Sequence, residues 1–357
     1  MPDPADIYQV RVAHQSERDR IARFLDGHWR KDHIFVTCPE LLDWQHLDSR
    51  RGRYNFVLGV HEESQQIHGI LGFIPLAQFD PALRIESFCW MAIWKIRDAA
   101  RGHKLGRRLL SYLNDTLKPA ALCTVAASSM TLPMYQAMGY QTGRLNHHFI
   151  LHPGKSNFHL VVNAGSNATR GRVEPSQHPR TLEAVTEDEI RKDLSHCFAD
   201  QKAIPGKSPT YLIHRYLRHP IYRYRPYAIR EKGRTLGLLV TRTCSHEESR
   251  AIRIVDFIGP SEALWGLRGQ WESILREQDA EYADFYSAGI DERDLVSSGF
   301  TSRHGEDGIV IPNYFEPFMR KNVEIDFMIS VPIGTPFRIV KGDSDQDRPN
   351  MLEGVRA

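Results

Sequence analysis

The stretch that decides the reading is "RDAARGHKLGRRLL", Arg97–Leu110. It follows an apolar run, "SFCWMAIWKI" (87–96). It opens "LGRRLLSYLNDTLK" (105–118), where Leu105, Leu109, Leu110 and Leu113 recur at helical spacing. A strand therefore hands over to a helix through a connector with two glycines, Gly102 and Gly106, and four basic or imidazole side chains, Arg101, His103, Lys104 and Arg107. A helix N-terminus leaves its first N–H groups without intrahelical partners and carries partial positive charge. Small residues admit a ligand close to that backbone. Together these make an anion site, and phosphate is the usual anion. The loop reads as a cradle for a pyrophosphate-bearing ligand; the alternative is a solvated basic turn opening an amphipathic helix. The glycine spacing is neither the dinucleotide fingerprint nor the P-loop, which needs Gly-Lys-Ser/Thr.

Outward from the loop, strand and helix signals alternate. Residues 7–13, 54–61, 66–76, 87–96, 120–128 and 147–152 read as strands, the second and third joined as a hairpin by "EESQ". Apolar residues on both faces of 87–96 place that strand centrally. Residues 17–29, 38–47, 105–118 and 131–140 read as helices. A Gly/Ser/Asn/Pro-rich stretch at 153–180 reads as a linker, with a strand signal at "FHLVV". The second half repeats the plan. Thr186 and Glu189 form a capping box, Lys232-Gly233 turns a hairpin, and "AIRIVDFIG" precedes the helix in "SEALWGLRGQWESILREQ". Gly72 and Gly237 sit in matching hairpin strands, and Gly139-Tyr140 and Gly299-Phe300 end matching helices, which implies an internal duplication.

Composition bounds the function classes. The 357 residues are 41% hydrophobic and 25% charged, as in soluble globular proteins, and suffice for two domains. The formal net charge of +2, with dispersed basic residues, argues against a nucleic-acid partner. Five separated cysteines, with no C-x-x-C pair, read as reduced buried thiols and a cytoplasmic location. No apolar h-region starts the chain and no apolar run is long enough for a membrane span. No metal site is expected.

The order of elements, with the basic glycine loop directly after the fourth strand, resembles the GNAT acyltransferase superfamily. That family's acyl-CoA loop reads Arg/Gln-x-x-Gly-x-Gly/Ala. Here it is Arg101-Gly102-His103-Lys104-Leu105-Gly106, with Lys104 where the family has Gly. "MYQAMGY" places Tyr135 four residues before Gly139, as in the family's later motif, with Tyr140 for its Phe. The resemblance implies an α/β (α+β layered) fold of tandem GNAT-like domains, each with a mixed, mostly antiparallel central sheet flanked by helices. Residues 1–152 are expected to form a catalytic domain binding acyl-CoA, 153–180 a linker, and 181–357 a degenerate copy that shapes the acceptor pocket. The second copy's loop, "DFIGPSEALWGL", has no basic residue, so it is not expected to bind CoA.

The resemblance also implies roles. The strand end at Lys95-Ile96 presents backbone N–H groups to the thioester, the loop from Arg101 to Arg107 holds the pyrophosphate, and Tyr135 protonates the leaving sulfur. Tyr135 otherwise reads as a packing residue. The position aligned with the family's strand Glu is Trp90, which cannot act. Glu86, four residues earlier and on the same face by alternation, is the candidate base, or else a surface carboxylate. His147 and His148 are alternatives, of which at most one faces a site. The tail "KGDSDQDRPN" (341–350) reads as a loop recognising a cationic amine or sugar hydroxyls, or as a solvated tail. "IPNYFEPF" (311–318) suits carbohydrate or a domain seam. The whole resembles two-domain proteins of bacterial surface-polysaccharide gene clusters, which implies transfer of an acetyl or longer acyl group from acetyl-CoA or another acyl-CoA to an amino sugar. Two alternatives stand beside it: a non-catalytic acyl-CoA or sugar-binding module, and an aminoacyl-tRNA-dependent transferase.

Overall fold

The structure is a computed structural model and describes residues 7–164, 180–199, 201–305 and 308–352. The chain forms two compact units. The first holds 1–142, 327–332 and 349–351; the second holds 143–326, 333–348 and 352–357. The sequence reading closed the first half at 152, but 143–152 belong to the second unit and 327–332 to the first.

In the first unit, β1 (Tyr8–His14), β2 (Arg53–His61), β3 (Ile67–Pro75), β4 (Cys89–Ile96) and β5 (Leu122–Val125) lie side by side in chain order. Three helices flank them: α1 (Arg18–His28), α2 (Pro39–His46) and α3 (Leu105–Leu117). All neighbours are antiparallel except β4 and β5, which are parallel. β2 and β3 are buried along nearly their whole length, as strands covered on both faces must be. Leu105, Leu109, Leu110, Leu113 and Leu117 of α3 pack on Val57, Leu71, Phe73, Cys89 and Met91, each fully buried leucine stabilising the unit by about 1.5–3 kcal/mol. The short α4 (Leu132–Ala137) carries Tyr135 into the same cluster. Beyond it come β6 (Gln141–Arg144) and β7 (Asn146–Leu151); β7 pairs in the other sheet, while the strand next to β5 arrives from residues 326–329.

The second sheet repeats the order with β8 (Thr181–Ala184), β9 (Tyr224–Glu231), β10 (Arg234–His246), β11 (Ser249–Ile258) and β12 (Ala280–Ala288). Again only the last pair, β11 and β12, is parallel. β7 adds to β12 antiparallel, from Tyr282↔Leu151 to Ser287↔Asn146, so the strand that reads as closing the first half completes the second sheet. The expected capping box opens α5 (Glu187–Lys192): the Thr186 side chain accepts from the Glu189 N–H, and Glu189 accepts from the Thr186 N–H. Trp271, Ile274 and Leu275 of α6 (Arg268–Glu277) pack on Ile252, Ile254, Ala283 and Phe285. α7 (Glu292–Ser297) and β13 (Thr301–Ser302) follow. Among the strands that escape the sequence reading are β14 (Asp326–Ile329), antiparallel to β5, and β15 (Ile339–Val340), antiparallel to β12. The fold is thus mixed α/β, with two large, mostly antiparallel sheets flanked by helices, as the sequence implies. Of the expected linker, 165–179 lie outside the described residues; within "FHLVV" only Val162 forms a bridge, to Val310. No helix among the described residues is long and apolar enough to cross a membrane.

Candidate functional site

The parallel strands of the first unit do not stay together. β4 pairs with β5 at Cys89↔Leu122, Trp90↔Cys123 and Met91↔Thr124, and pairing stops there. Directly afterwards β4 carries one extra residue relative to β3, because Phe73 faces Met91 but Leu71 faces Trp94. The bulge inverts the strand's phase. Cys89 and Met91 before it, and Trp94 and Ile96 after it, all join the cluster under α3. The Arg97 N–H bonds the His68 carbonyl (2.8 Å), so residues 97, 95 and 93 turn their backbone toward β3. The N–H and C=O of Trp94 and Ile96 then face the side that β5 has left. Among the described residues no strand pairs with β4 there. The Trp94 indole N–H is buried in this region without an acceptor.

The loop stands at the end of this opening. A short 3-10 turn (Asp98–Ala100) leads to Arg101, Gly102 takes φ +87°, and Lys104 takes φ +56° directly before α3. The left-handed conformation of Lys104 gives a physical reason for glycine at that place in the family's motif: an L-residue pays about 1–2 kcal/mol for it. Its side chain is exposed, as are those of Arg101 and Arg107, and Arg101 pairs with Asp98 at 2.8 Å. His103 departs from the expected open phosphate contact, because its ring lies edge-on to Tyr8 with centroids 6.1 Å apart. Leu105 is a core residue, so only its backbone belongs to the loop. Gly106 sits over β4. A Cβ there would meet Trp94 at 3.5 Å and Ile96 at 3.6 Å, which is ordinary contact, so packing on β4 does not itself demand glycine. The Lys95 side chain turns to the other face, where it and Arg97 lower the pKa of His28 after burial. That face carries a recess of about 270 Å³ bordered by Arg20, Arg23, His28 and Arg97, which the sequence reading missed because its cations come from two places far apart in the chain, α1 and the end of β4.

Tyr135 is 3% exposed, with ring centroids 6.3 Å from both Trp94 and Tyr140. Burial, then the neighbouring Tyr140 and Cys123, push its pKa well above the usual tyrosine value. The phenol therefore keeps its proton throughout the physiological range.

Three expectations are corrected. Glu86 is not on the strand: β4 begins at Cys89, and Glu86 lies in the preceding turn, exposed, 3.6 Å from Arg84. Cys89 alone is about 16 Å along the strand from Trp94, so alternation does not carry Glu86 to the opening. His147 and His148 belong to the second unit's sheet, where both are buried and His147 Nε2 lies 3.1 Å from Asp284. The tail at 341–350 is neither solvated nor an open recognition loop: Lys341, Asp343 and Asp347 are at most 1% exposed. Likewise Ile311 and Phe315 pack in a core cluster, and Glu316 accepts from the Tyr222 hydroxyl at 2.7 Å.

That buried tail occupies the second unit's counterpart of the opening. β11 also carries an extra residue, Val255, and its pairing with β12 stops at Ile254↔Phe285. Beyond that point residues 339–342 enter between them. β15 pairs with Ser287 and Ala288, the Lys341 N–H bonds the Tyr286 carbonyl (3.2 Å), and the Gly342 N–H bonds the Val255 carbonyl (2.8 Å). Buried ion pairs fix the segment. Lys207 Nζ meets Asp256 at 2.7 Å and Asp343 at 2.8 Å, while Arg242 holds Asp347 at 3.0 Å and the Tyr224 hydroxyl donates to Asp347 at 2.6 Å.

Comparisons with solved structures give the fold. A GCN5-related N-acetyltransferase from Anabaena variabilis ATCC 29413 superposes with a TM-score of 0.54 at 14% identity, over 90% of this chain and 72% of that one. A protein from Enterococcus faecalis V583, described as a probable N-acyltransferase, gives 0.54 at 12% identity over 91% and 72%. A GCN5-related N-acetyltransferase from Kribbella flavida gives 0.51 at 11% identity over 91% and 71%. No protein-family model matches the sequence, and no curated protein matches it.

Proposed function

We propose that this chain is an acyl-CoA-dependent N-acyltransferase whose reaction takes place in the first unit. The observation that carries the proposal is the parting of β4 from β5 after Met91↔Thr124, with a basic, glycine-containing loop and the N-terminus of α3 at its end. An acyl-pantetheine chain laid in the opening would extend it as an added strand. Arg101, Lys104 and Arg107 would face the pyrophosphate with their exposed cations, aided by the N–H groups that open α3. The backbone N–H groups of Trp94 and Ile96 would meet the thioester oxygen as it gains negative charge; that of Lys95, also expected there, faces β3 instead.

In the transfer, the acceptor nitrogen bonds the acyl carbon, the carbon–sulfur bond breaks, and Tyr135 gives its proton to the departing thiolate; the proton that the nitrogen loses on becoming an amide passes through solvent and restores the Tyr135 phenol. A buried phenol that stays protonated at neutral pH suits that task. Glu86 receives no role in this mechanism, and the acceptor amine enters in its neutral form. The acceptor is a primary amine. The recess formed by Arg20, Arg23, His28 and Arg97 favours one that also carries phosphate, as a nucleotide-linked amino sugar of surface-polysaccharide synthesis would.

Calorimetric titration with acetyl-CoA and with free CoA tests the reading. One saturable site per chain is expected, with thiol release once an amine is added. No binding at millimolar ligand would defeat the proposal, whereas binding without thiol release across amine acceptors would favour a non-catalytic acyl-CoA module. Tyr135→Phe is expected to preserve affinity and to lower kcat by about 10²-fold or more; full activity in that variant removes Tyr135 from the mechanism.

A further inference from the structure

A cavity of about 530 Å³ lies wholly within the second unit, at the outer end of β11, where the connector 259–262 leads toward α6. Its size is that of small-molecule sites. Leu236, Phe257 and Pro336 give it apolar walls, and Lys202 stands exposed at its rim. The connector itself brings no cation. The buried tail brings one: Arg338 lines the cavity, and burial lowers its pKa.

The Arg338 guanidinium is only partly used. Nη1 donates to the Gly259 carbonyl at 2.8 Å and more weakly to that of Phe257 at 3.4 Å, and Nη2 reaches Ser261 Oγ at 3.4 Å. The group lies 4.6 Å from the Phe257 ring centroid. Nε is buried with no acceptor, and no carboxylate among the described residues forms an ion pair with this arginine. Two carboxylates act on it without pairing: Asp256, already held by Lys207 and by the Tyr216 hydroxyl, and Glu262, which lines the cavity with its side chain exposed. Arg338 is half-buried; a cation partly withdrawn from water without a paired counter-charge is costly, and its acceptorless Nε–H adds to that cost. The Nε–H and the adjacent Nη2–H form a fork that matches the two oxygens of a carboxylate. A phosphate would set two charges against one half-buried cation.

We propose that this cavity binds a small amphipathic monocarboxylate, with its carboxylate on the Nε/Nη2 edge of Arg338 and its apolar body against Leu236, Phe257 and Pro336. The site is separate from the acyl-CoA site proposed for the first unit, and it uses the second copy's strand end for a ligand of different chemistry.

Cys197 lines the same cavity and is the single cysteine of the five that is not buried, so its alkylation reports occupancy. The experiment titrates octanoate and benzoate into the full chain, with octanamide and benzamide as uncharged controls. It reads heat and the rate of Cys197 alkylation by iodoacetamide. Saturable binding of at least one carboxylate is expected, with at least fivefold slower alkylation and at least tenfold weaker binding of its amide. Leu236→Trp, which fills the cavity, is expected to abolish both signals, and Arg338→Gln to remove the preference for carboxylate over amide. Saturating acetyl-CoA should leave the protection unchanged. No protection by either carboxylate at 10 mM overturns the proposal, as does equal protection by the amides. Displacement by acetyl-CoA would also overturn it, by placing the carboxylate at the acyl-CoA site. If Arg338→Gln does not fold, the amide controls and Leu236→Trp still decide.

Discussion

The two sheets are built alike up to one point and then differ. In each, the first strand of the parallel pair takes an extra residue and leaves its parallel neighbour within a few residues of it, at Met91 in β4 and at Ile254 in β11. Past that point β4 has no strand partner on its vacated side among the described residues, whereas β11 has residues 339–342. A sheet that parts leaves backbone groups needing partners. The second unit satisfies them with its own chain and secures that chain with buried ion pairs. The first leaves them facing an opening next to Arg101, Lys104 and Arg107. The same backbone device is thus structural in one copy and, in our reading, a substrate channel in the other.

The largest effect should come from loosening the filling strand. Asp347 accepts from Arg242 and from the Tyr224 hydroxyl; burial pushes its pKa up, but the Arg242 charge, the hydrogen bonds from Arg242 and Tyr224 and the Arg253 charge together outweigh that and lower it. Asp347→Ala leaves Arg242 buried with only Glu316, 3.8 Å away, as a carboxylate neighbour. Loss of one partner from such a pair costs about 3–5 kcal/mol. Hydrogen exchange should rise in 339–347 and along β11 and β12, with the first unit unchanged. Uniform exchange in the variant would mean that the tail is not what closes the second sheet.

Acid should separate the units next. Burial lowers the pKa of His148 to about 4, and it lowers those of His147 and His219 as well. These rings are neutral in the fold, while the unfolded chain takes up protons near pH 6.5. The unfolded state therefore binds more protons as pH falls, and stability present above pH 6.5 is lost on the way to pH 4. For His148 alone the loss approaches about 3 kcal/mol. Asp343 acts in the opposite direction: burial raises its pKa, so protonation relieves it as pH falls. Thermal unfolding followed from pH 7.5 to 4 should show the second unit melting first, and a pH-independent melting temperature would refute the buried-neutral assignment.

Charge reversal in the loop should touch the other copy alone. Arg101→Glu with Lys104→Glu is expected to weaken acetyl-CoA binding by about 10–100-fold, at least the size of one lost charge-assisted hydrogen bond. Because both side chains are exposed, the melting temperature should stay the same. Unchanged affinity would mean that the opening lacks its phosphate anchor.

How much of this was legible beforehand follows from where each signal lies in the chain. The α3 leucines, the Thr186 capping box and the Lys232-Gly233 turn are local, and each reads directly from spacing. The bulge in β4 is hidden because "SFCWMAIWKI" is apolar on both faces, so inverting its phase leaves no trace in the pattern. β14 and β15 are two to four residues long and pair with strands roughly 50 or more positions away, which periodicity cannot show. Asp343 and Asp347 of the tail looked solvated because their partners, Lys207 for the first and Arg242 and Tyr224 for the second, lie more than a hundred residues upstream. At the candidate site the loop was readable, being contiguous. Glu86 was misplaced because alternation was extended past the true strand start at Cys89.

The smallest predicted effect sharpens the reading of that loop. Lys104 holds φ +56° at the entrance to α3 with no side-chain cap. Glycine would remove a strain of about 1–2 kcal/mol and return about 0.5–1 kcal/mol of it through the greater freedom of the unfolded chain. Lys104→Gly should therefore stabilise the first unit by about 0.5–1 kcal/mol. Lys104→Ala keeps the strain and loses only the ammonium, so it should not stabilise. The pair separates backbone from charge. If the N–H groups at the start of α3 do most of the phosphate binding, acetyl-CoA affinity in Lys104→Gly should fall no more than about threefold, because one cation is lost from a cradle that also has Arg101 and Arg107. A fall as large as that of the double reversal would instead assign the binding to the lysine's charge, and the left-handed turn would then be a cost borne for that side chain.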